Sequence, residues 1–131
     1  MSLISIKIVE NDVDAVAKII LLDEKNRVLM LKRSRYTKKY AKKWDFPGGH
    51  LKKNETLESG LKREVKEETG ITINKSSFIK KDGNINFFWG KYNSEKIELS
   101  FEHTDYTFME KRQLDPDDKF QTIAIELLEN L

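Results

Sequence analysis

The sequence contains no cysteine, and this absence excludes several kinds of chemistry. Without thiols there is no disulfide framework, no thiolate metal site and no cysteine nucleophile. A chain without disulfides suits a reducing compartment, and we expect a cytoplasmic protein. Long apolar runs are also missing, since residues 17–22 are interrupted by Lys18 and are too short to span a bilayer. The first residues show no apolar signal-peptide core, so the sequence predicts neither secretion nor a membrane partner.

A strong excess of charge of one sign is missing too. The formal net charge is +2 at pH 7, so the composition does not favour nucleic acid or an anionic membrane as a partner. Charge is instead separated locally. A segment without any acidic residue carries seven bases, Lys32, Arg33, Arg35, Lys38, Lys39, Lys42 and Lys43, and a later one carries five glutamates, Glu55, Glu58, Glu64, Glu67 and Glu68. This order suits a metal-and-phosphate site, but also a solvated loop followed by a solvated helix.

The length of the chain and the absence of a linker indicate one domain, residues 1–131, with its own core. There are only two prolines, and no repeat or linker. Patterns of apolar and β-branched residues predict strands over residues 13–22, 27–32, 44–46, 78–81, 85–92, 97–102 and 106–110. Strands before, between and after two amphipathic helices predict an α/β fold, with a mixed β-sheet flanked by helices.

The two helices are predicted from capping residues and apolar stripes. The first covers residues 57–69, with Asn54 or Thr56 as its cap and Gly70 in a left-handed conformation at its end. The second is expected from Asp115 as N-cap, with Pro116 at its first position, to about residue 130. The apolar stripes are Leu57, Leu61 and Val65 in the first helix, and Phe120, Ile123, Ala124, Leu127 and Leu128 in the second.

Three glutamates in the first helix, Glu64, Glu67 and Glu68, stand at positions i, i+3 and i+4. This spacing puts three carboxylates on one helix face, where they repel one another. A divalent cation removes that repulsion, and hard oxygen ligands favour Mg²⁺, or alternatively Mn²⁺, over zinc. A solvated helix face is the simpler alternative. Arg63 is expected to pair with Glu67 at i+4, or to brace a carboxylate in a neighbouring loop.

Two glycines precede this helix, Gly48 and Gly49. Because they have no Cβ, the backbone can closely approach a metal or a phosphate, and their carbonyl oxygens are further hard ligands. Phosphoryl transfer depends on neutralising charge and on activating a water molecule, and a divalent cation contributes to both. The segment from Gly49 to Ile71 therefore predicts metal-dependent phosphoryl chemistry.

Gly49, Glu55 and the run Arg63-Glu64-Val65-Lys66-Glu67-Glu68-Thr69-Gly70-Ile71 resemble a complete Nudix box. The resemblance implies an α/β/α sandwich and Mg²⁺-dependent hydrolysis of a phosphoanhydride bond in a nucleoside-diphosphate-linked substrate. It also implies roles. The helix glutamates and the Gly48 carbonyl would bind metal, while Glu55 would support the loop or bind a further metal ion. The catalytic set implied is Glu64, Glu67, Glu68, Arg63, which orients carboxylates, and Glu102, a metal ligand or general base.

Lys32 and Arg33 are candidates for phosphate contact, with ordinary surface bases as the alternative. Trp44 and Phe46 are candidates for stacking on a nucleotide base, although aromatic residues in strands more often belong to a core. His103 is either a proton-transfer group or a bystander.

The resemblance leaves the substrate open, and we favour a nucleoside triphosphate. Family members that prefer ADP-ribose usually carry a proline after the box, and this chain has none between Pro47 and Pro116. Those that prefer dinucleoside polyphosphates usually carry a tyrosine where Phe87 and Phe88 stand. The alternatives are ADP-ribose or dinucleoside polyphosphate hydrolysis, a non-catalytic nucleotide-binding Nudix module, and RNA decapping through residues 38–43. A monomer or a homodimer is expected.

Overall fold

The computed structural model describes residues 14–34 and 43–131. These ranges contain seven strands, two α-helices and a 3-10 helix at Lys111–Gln113. Most of the basic segment, including residues 35–42, lies outside the described residues. The strands are β1 Val16–Leu22, β2 Val28–Arg33, β3 Trp44–Asp45, β4 Gly48–His50, β5 Ser77–Asp82, β6 Ile85–Lys91 and β7 His103–Met109, and the α-helices are α1 Leu57–Thr69 and α2 Gln121–Glu129.

The strands form one mixed sheet around β1. Its path is β3-β2-β1-β6-β5, with β4 also paired to β1 and β7 to β2. β1 and β6 run parallel, while the remaining pairs are antiparallel. The predicted mixed sheet is confirmed. β1 is central because almost all of its side chains are apolar and can be buried on both faces.

Alternation along β1 divides the core into two layers. Ile19 and Leu21 belong to a cluster with the α1 stripe, and Ile20 and Leu22 belong to a cluster on the α2 side. Each helix therefore covers one face of the sheet, which confirms the predicted flanking helices. Within the part of the chain that the structure describes, neither helix is long and apolar enough to cross a membrane.

Helix α1 has the predicted bounds, and its ends explain them. The backbone N–H of Ser59 donates to the hydroxyl of Thr56 at 3.1 Å, so Thr56 is the cap. Gly70 ends the helix with φ 79°. Asn54, the other candidate cap, has φ 71° and occupies the turn before the helix.

Two sequence-based predictions are wrong. Residues 97–102 form no strand, because their amides bond to the end of α1: Glu98 N–H donates to the Thr69 carbonyl and Ser100 N–H to the Glu68 carbonyl, at 2.7 and 2.9 Å. These carbonyls lack helical partners, so the segment completes the helix end. Helix α2 begins at Gln121 rather than at Pro116. The carboxylate of Asp118 accepts the N–H of Phe120 and of Gln121, which holds the preceding residues in turns.

Candidate active site

The centre of the site is the bend at Pro47 and Gly48 that leads into strand β4, and we call it the glycine turn. The backbone of Gly48 has a conformation that favours glycine. Its φ is 134°, and a Cβ there would lie 2.0 Å from the carbonyl oxygen of Ala17. The Gly48 N–H donates to Oε1 of Glu68 at 2.7 Å. A Cβ on Gly49 would lie 2.5 Å from Oε1 of Glu64. The missing Cβ of Gly48 thus lets its backbone lie against strand β1, and that of Gly49 leaves room for the Glu64 side chain. The predicted approach to a metal or a phosphate stays a prediction.

Arg63 holds the outer carboxylates of the site together. It makes two hydrogen bonds to Glu55, from Nε at 2.7 Å and from Nη2 at 2.9 Å. Its Nη1 donates to Glu64 at 3.1 Å and to Glu67 at 3.2 Å. Both expected pairings of Arg63 are therefore present, with Glu67 and with a loop carboxylate. The hydrogen bonds from Arg63 lower the pKa of Glu55 to about 2, so Glu55 is fully ionised at neutral pH.

Glu68 has the opposite environment. Only 5% of its surface is exposed, and burial raises the pKa of its carboxyl to about 8, although the nearby charge of Lys18 and the Gly48 N–H oppose this. A buried carboxylate is costly unless a cation or hydrogen bonds compensate its charge. Glu68 is therefore the carboxyl group of the site that has most to gain from a bound cation.

The donors at this site suit a divalent cation, although they are not gathered around one point. Within residues 14–34 and 43–131, no three acidic or histidine side chains lie close enough together to hold an ion. Glu64 and Glu67 turn towards Arg63, and Glu68 turns towards Gly48. All the donors are carboxylate or carbonyl oxygens on one helix face and the facing turn, which suits Mg²⁺ or Mn²⁺. Binding would require Glu64 and Glu67 to turn away from Arg63.

Two charged residues that had not been predicted, Lys18 and Asp45, lie on the sheet side of the site. The ammonium of Lys18 donates to Oδ2 of Asp45 at 2.9 Å and to the carbonyls of Phe46 and Gly48 at 3.3 Å. Nη1 of Arg33 lies 3.7 Å from the same Asp45 oxygen. The signal in the sequence was a lysine inside an otherwise apolar strand.

The four expected substrate contacts fall into two groups. Arg33 lies beside Asp45 at the site. Lys32 pairs across the strands with Trp44, its Nζ 6.0 Å from the centre of the Trp44 ring, and this ring packs against the core cluster on the α2 side of the sheet. Trp44 itself is half-buried. Phe46 is a core residue instead, because it is 2% exposed and its ring packs edge-on against Phe87. This burial leaves no face of Phe46 for a nucleotide base, and the expectation of stacking is corrected.

Glu102 and His103 lie at the start of β7. The Glu102 carbonyl accepts the Ser34 N–H at 2.7 Å, which holds the exposed Glu102 at the end of β2. Burial, together with the charges of Arg33 and Lys18, lowers the pKa of His103 to about 4, so its imidazole is neutral at pH 7. Its buried Nδ1 has no hydrogen-bond partner among the described residues.

Comparisons with known proteins agree with this architecture. The 8-oxo-dGTP diphosphatase of Buchnera aphidicola subsp. Schizaphis graminum is 38% identical over 82 residues, which is 62% of this chain and 55% of that protein. Its counterpart from Buchnera aphidicola subsp. Acyrthosiphon pisum is 41% identical over 64 residues, 48% of this chain and 47% of that protein. This chain spans about half the length of the curated relatives it matches.

Solved structures show the same fold. The MutT protein from Methanosarcina mazei Go1 has a TM-score of 0.71 at 25% identity, with 89% of this chain and 94% of that chain covered. An Ap4A hydrolase binary complex from C. elegans has a TM-score of 0.70 at 20% identity, with 90% and 97% covered. A family model described as the NUDIX domain matches residues 13–129. With a match over nearly its whole length, this chain belongs to the NUDIX domain family.

Proposed function

We propose that this protein is a nucleoside triphosphate pyrophosphatase that depends on a divalent cation, Mg²⁺ or Mn²⁺. Water would be added across one phosphoanhydride bond, and the products would be a nucleoside monophosphate and pyrophosphate. The observation that carries the proposal is the position of the box carboxylates at the glycine turn, with Glu68 buried against Gly48. Burial of a carboxylate beside other carboxylates is a costly arrangement that a divalent cation would stabilise.

The proposed roles follow from the contacts. Glu64, Glu67, Glu68 and the Gly48 carbonyl would hold the metal. When bound, the metal would neutralise phosphate charge and lower the pKa of a bound water molecule. Arg63 would hold Glu64 and Glu67 beside the site before the metal binds, since it contacts both directly. Both carboxylates would then turn from Arg63 to the metal. Because Glu55 is engaged by two hydrogen bonds from Arg63, we assign it to the support of this arrangement rather than to a further metal.

The proposed substrate contacts come from strands β2 and β3. Arg33 and Lys32 would bind phosphate oxygens, and Trp44 would contact the base, while Phe46 is omitted because it is buried. Glu102 would accept a proton from the attacking water. Its exposed position at the end of β2 leaves the side chain open to solvent and substrate.

Two observations support a triphosphate as the substrate. The curated relatives at 38% and 41% identity are both named 8-oxo-dGTP diphosphatase. The chain also lacks the proline after the box that usually accompanies a preference for ADP-ribose. The structural neighbours named for Ap4A or solved with ADP-ribose are only 20% and 14% identical, so their likeness concerns the fold alone.

A substrate panel with product identification tests the proposal. Canonical deoxynucleoside and ribonucleoside triphosphates, 8-oxo-dGTP, ADP-ribose and Ap4A would each be incubated with Mg²⁺, and the products would be separated by ion-exchange chromatography. We expect monophosphate and pyrophosphate from at least one triphosphate, and no turnover in the presence of a chelator. Cleavage of ADP-ribose without any triphosphate turnover would contradict the proposal. Nucleotide binding without products would indicate a non-catalytic binding module.

A further inference from the structure

Lys18 is the one charged side chain in strand β1, whose other residues are all apolar. It stands directly opposite Gly48 in the pairing of β1 with β4. Only 12% of its side chain is exposed. Burying an ammonium group carries a large free-energy cost unless it is paired and hydrogen-bonded, so the partners of Lys18 indicate what its charge does.

Within the part of the chain that the structure describes, Lys18 has three hydrogen-bond partners, all in the segment from Asp45 to Gly48. They are the Asp45 carboxylate at 2.9 Å, and the carbonyls of Phe46 and Gly48, both at 3.3 Å. On the other side of the same turn, the Gly48 N–H donates to Glu68 at 2.7 Å. Gly48 is therefore held from both sides, with its carbonyl facing a cation and its amide facing an anion.

We propose that Lys18 is a positioning residue that fixes the direction of the Gly48 carbonyl and keeps the turn pressed against Glu68. This inference rests on the proposed function, because that carbonyl is one of the proposed metal ligands. Lys18 and Glu68 hold Gly48 from opposite sides, and the metal would bind between the glycine turn and helix α1. The carboxylate of Asp45 holds the Lys18 ammonium in place, and the contacts with the Phe46 and Gly48 carbonyls set the orientation of the ammonium.

A purely electrostatic role for Lys18 predicts no change in the backbone at Gly48. If Lys18 acts only through its charge, its removal changes the affinity for a divalent ion but leaves the Gly48 N–H bonded to Glu68. If Lys18 instead positions a ligand, its removal weakens metal binding, as replacement of groups that orient metal ligands usually does, by about 10- to 100-fold, and also loosens the backbone at Gly48. Weaker metal binding together with faster exchange of the Gly48 amide therefore separates the two roles.

The test uses Lys18→Met, which has a similar length without the charge, and Lys80→Met as a matched control at an exposed position of β5. Mn²⁺ affinity of the metal-free full chain is measured by titration calorimetry, and exchange of the Gly48 amide hydrogen by NMR. For Lys18→Met we expect about tenfold weaker Mn²⁺ binding and faster exchange at Gly48. The control should change neither. Unchanged or tighter Mn²⁺ binding, or unchanged exchange at Gly48, would overturn the inference.

Two further variants keep the test decisive. Lys18→Arg retains the charge and hydrogen-bond donors and should restore most of the Mn²⁺ affinity, which a loss of packing alone would not explain. Asp45→Asn leaves both carbonyl contacts of Lys18, so this variant should lose less Mn²⁺ affinity than Lys18→Met does. Failure of the unsubstituted protein to bind Mn²⁺ would reject the proposed function itself. Exchange at Gly48 needs no metal and would still decide whether Lys18 fixes the turn.

Discussion

Two parts of the same Nudix box shift the pKa of a glutamate carboxyl group in opposite directions. Around Arg63, the carboxylate of Glu55 receives two hydrogen bonds, and its pKa is lowered to about 2. At the glycine turn, burial raises the pKa of Glu68 to about 8. Glu67, directly before Glu68, is about half exposed and faces Arg63. Adjacent residues of one helix therefore belong to two different electrostatic environments.

The difference shows that the box is not a uniform group of acids. Arg63 donates hydrogen bonds to the outer carboxylates of Glu55, Glu64 and Glu67, and its two bonds to Glu55 keep that carboxyl ionised at neutral pH. Among the described residues, Glu68 accepts one amide hydrogen bond, from Gly48, and would gain most from a cation. The inner carboxylate should therefore govern metal-dependent activity, and the outer network should govern the stability of the metal-free fold. Four predictions test this division.

The largest effect is expected for Glu68→Gln. Glutamine still accepts the Gly48 N–H but carries no charge, so the fold should persist while kcat on a triphosphate falls about 10³-fold, equivalent to about 4 kcal/mol. Steady-state kinetics with Mg²⁺ and a thermal melt measure the two quantities. Glu58→Gln, at an exposed position in the first turn of the same helix, should retain full activity. Near-normal turnover of Glu68→Gln would break the division.

The next effect separates the two glycines. A Cβ on Gly48 meets backbone, 2.0 Å from the Ala17 carbonyl, in a conformation with φ 134°. Gly48→Ala should therefore lower the free energy of unfolding by about 3 kcal/mol. A Cβ on Gly49 meets the end of the Glu64 side chain, which can rotate away. Urea denaturation should show a loss for Gly49→Ala less than half as large, and equal losses would contradict this geometry.

Loss of the outer network is expected to cost less. Arg63→Ala leaves Glu55, Glu64 and Glu67 without their shared partner, and the unfolding free energy of the metal-free protein should fall by about 2 kcal/mol. Arg63→Lys should restore little, because an ammonium cannot reproduce the two-pronged contact with Glu55. Chemical denaturation at low salt measures both, with exposed Lys62→Ala as the control. Full stability of Arg63→Ala would show that the network does not support the fold.

The smallest effect is a pH dependence of the metal-free protein. The pKa of Glu68 is raised from 4.5 to about 8, so above its unfolded pKa the native state holds a proton that the unfolded state has lost. Stability from Glu68 is therefore lost as the pH rises towards 8, by at most about 1.4 kcal/mol per pH unit. His103 acts in the opposite direction, since its pKa is lowered from 6.5 to about 4, and its effect ends near pH 6.5.

Denaturation curves between pH 6.5 and 8 isolate the contribution of Glu68. The unfolding free energy should fall by about 1 kcal/mol across one pH unit in this window, and Glu68→Gln should remove the slope. A slope that survives in Glu68→Gln would assign it to another group.

The parts of the fold that were predicted correctly depend on nearby residues. Helix α1 has its predicted bounds because Thr56, the apolar stripe and Gly70 lie within one short stretch. The segment 97–102 was predicted as a strand, but its amides bond to the end of α1, about thirty residues earlier in the chain. Helix α2 begins late because of the Asp118 turn, which competes locally with a good predicted cap at Asp115.

The same limit applies to the site. Spacing alone placed Glu64, Glu67 and Glu68 on one helix face and anticipated the pairing of Arg63 with Glu67. The pairing of Lys18 with Asp45, 27 residues apart, depends on how the strands align and has no local pattern. Phe46 was a candidate for base contact until the packing of Phe87 against it placed it in the core.

By itself, the sequence determined the three carboxylates, their spacing on helix α1 and the two glycines that face them, because helical periodicity and backbone freedom are local properties. Only the tertiary structure decided which carboxylate is buried, which carboxylates Arg63 binds, and that the Lys18 ammonium faces the Gly48 carbonyl. Desolvation and ion pairing depend on groups brought together from distant parts of the chain, so identical glutamates acquire different proton affinities only when the chain folds.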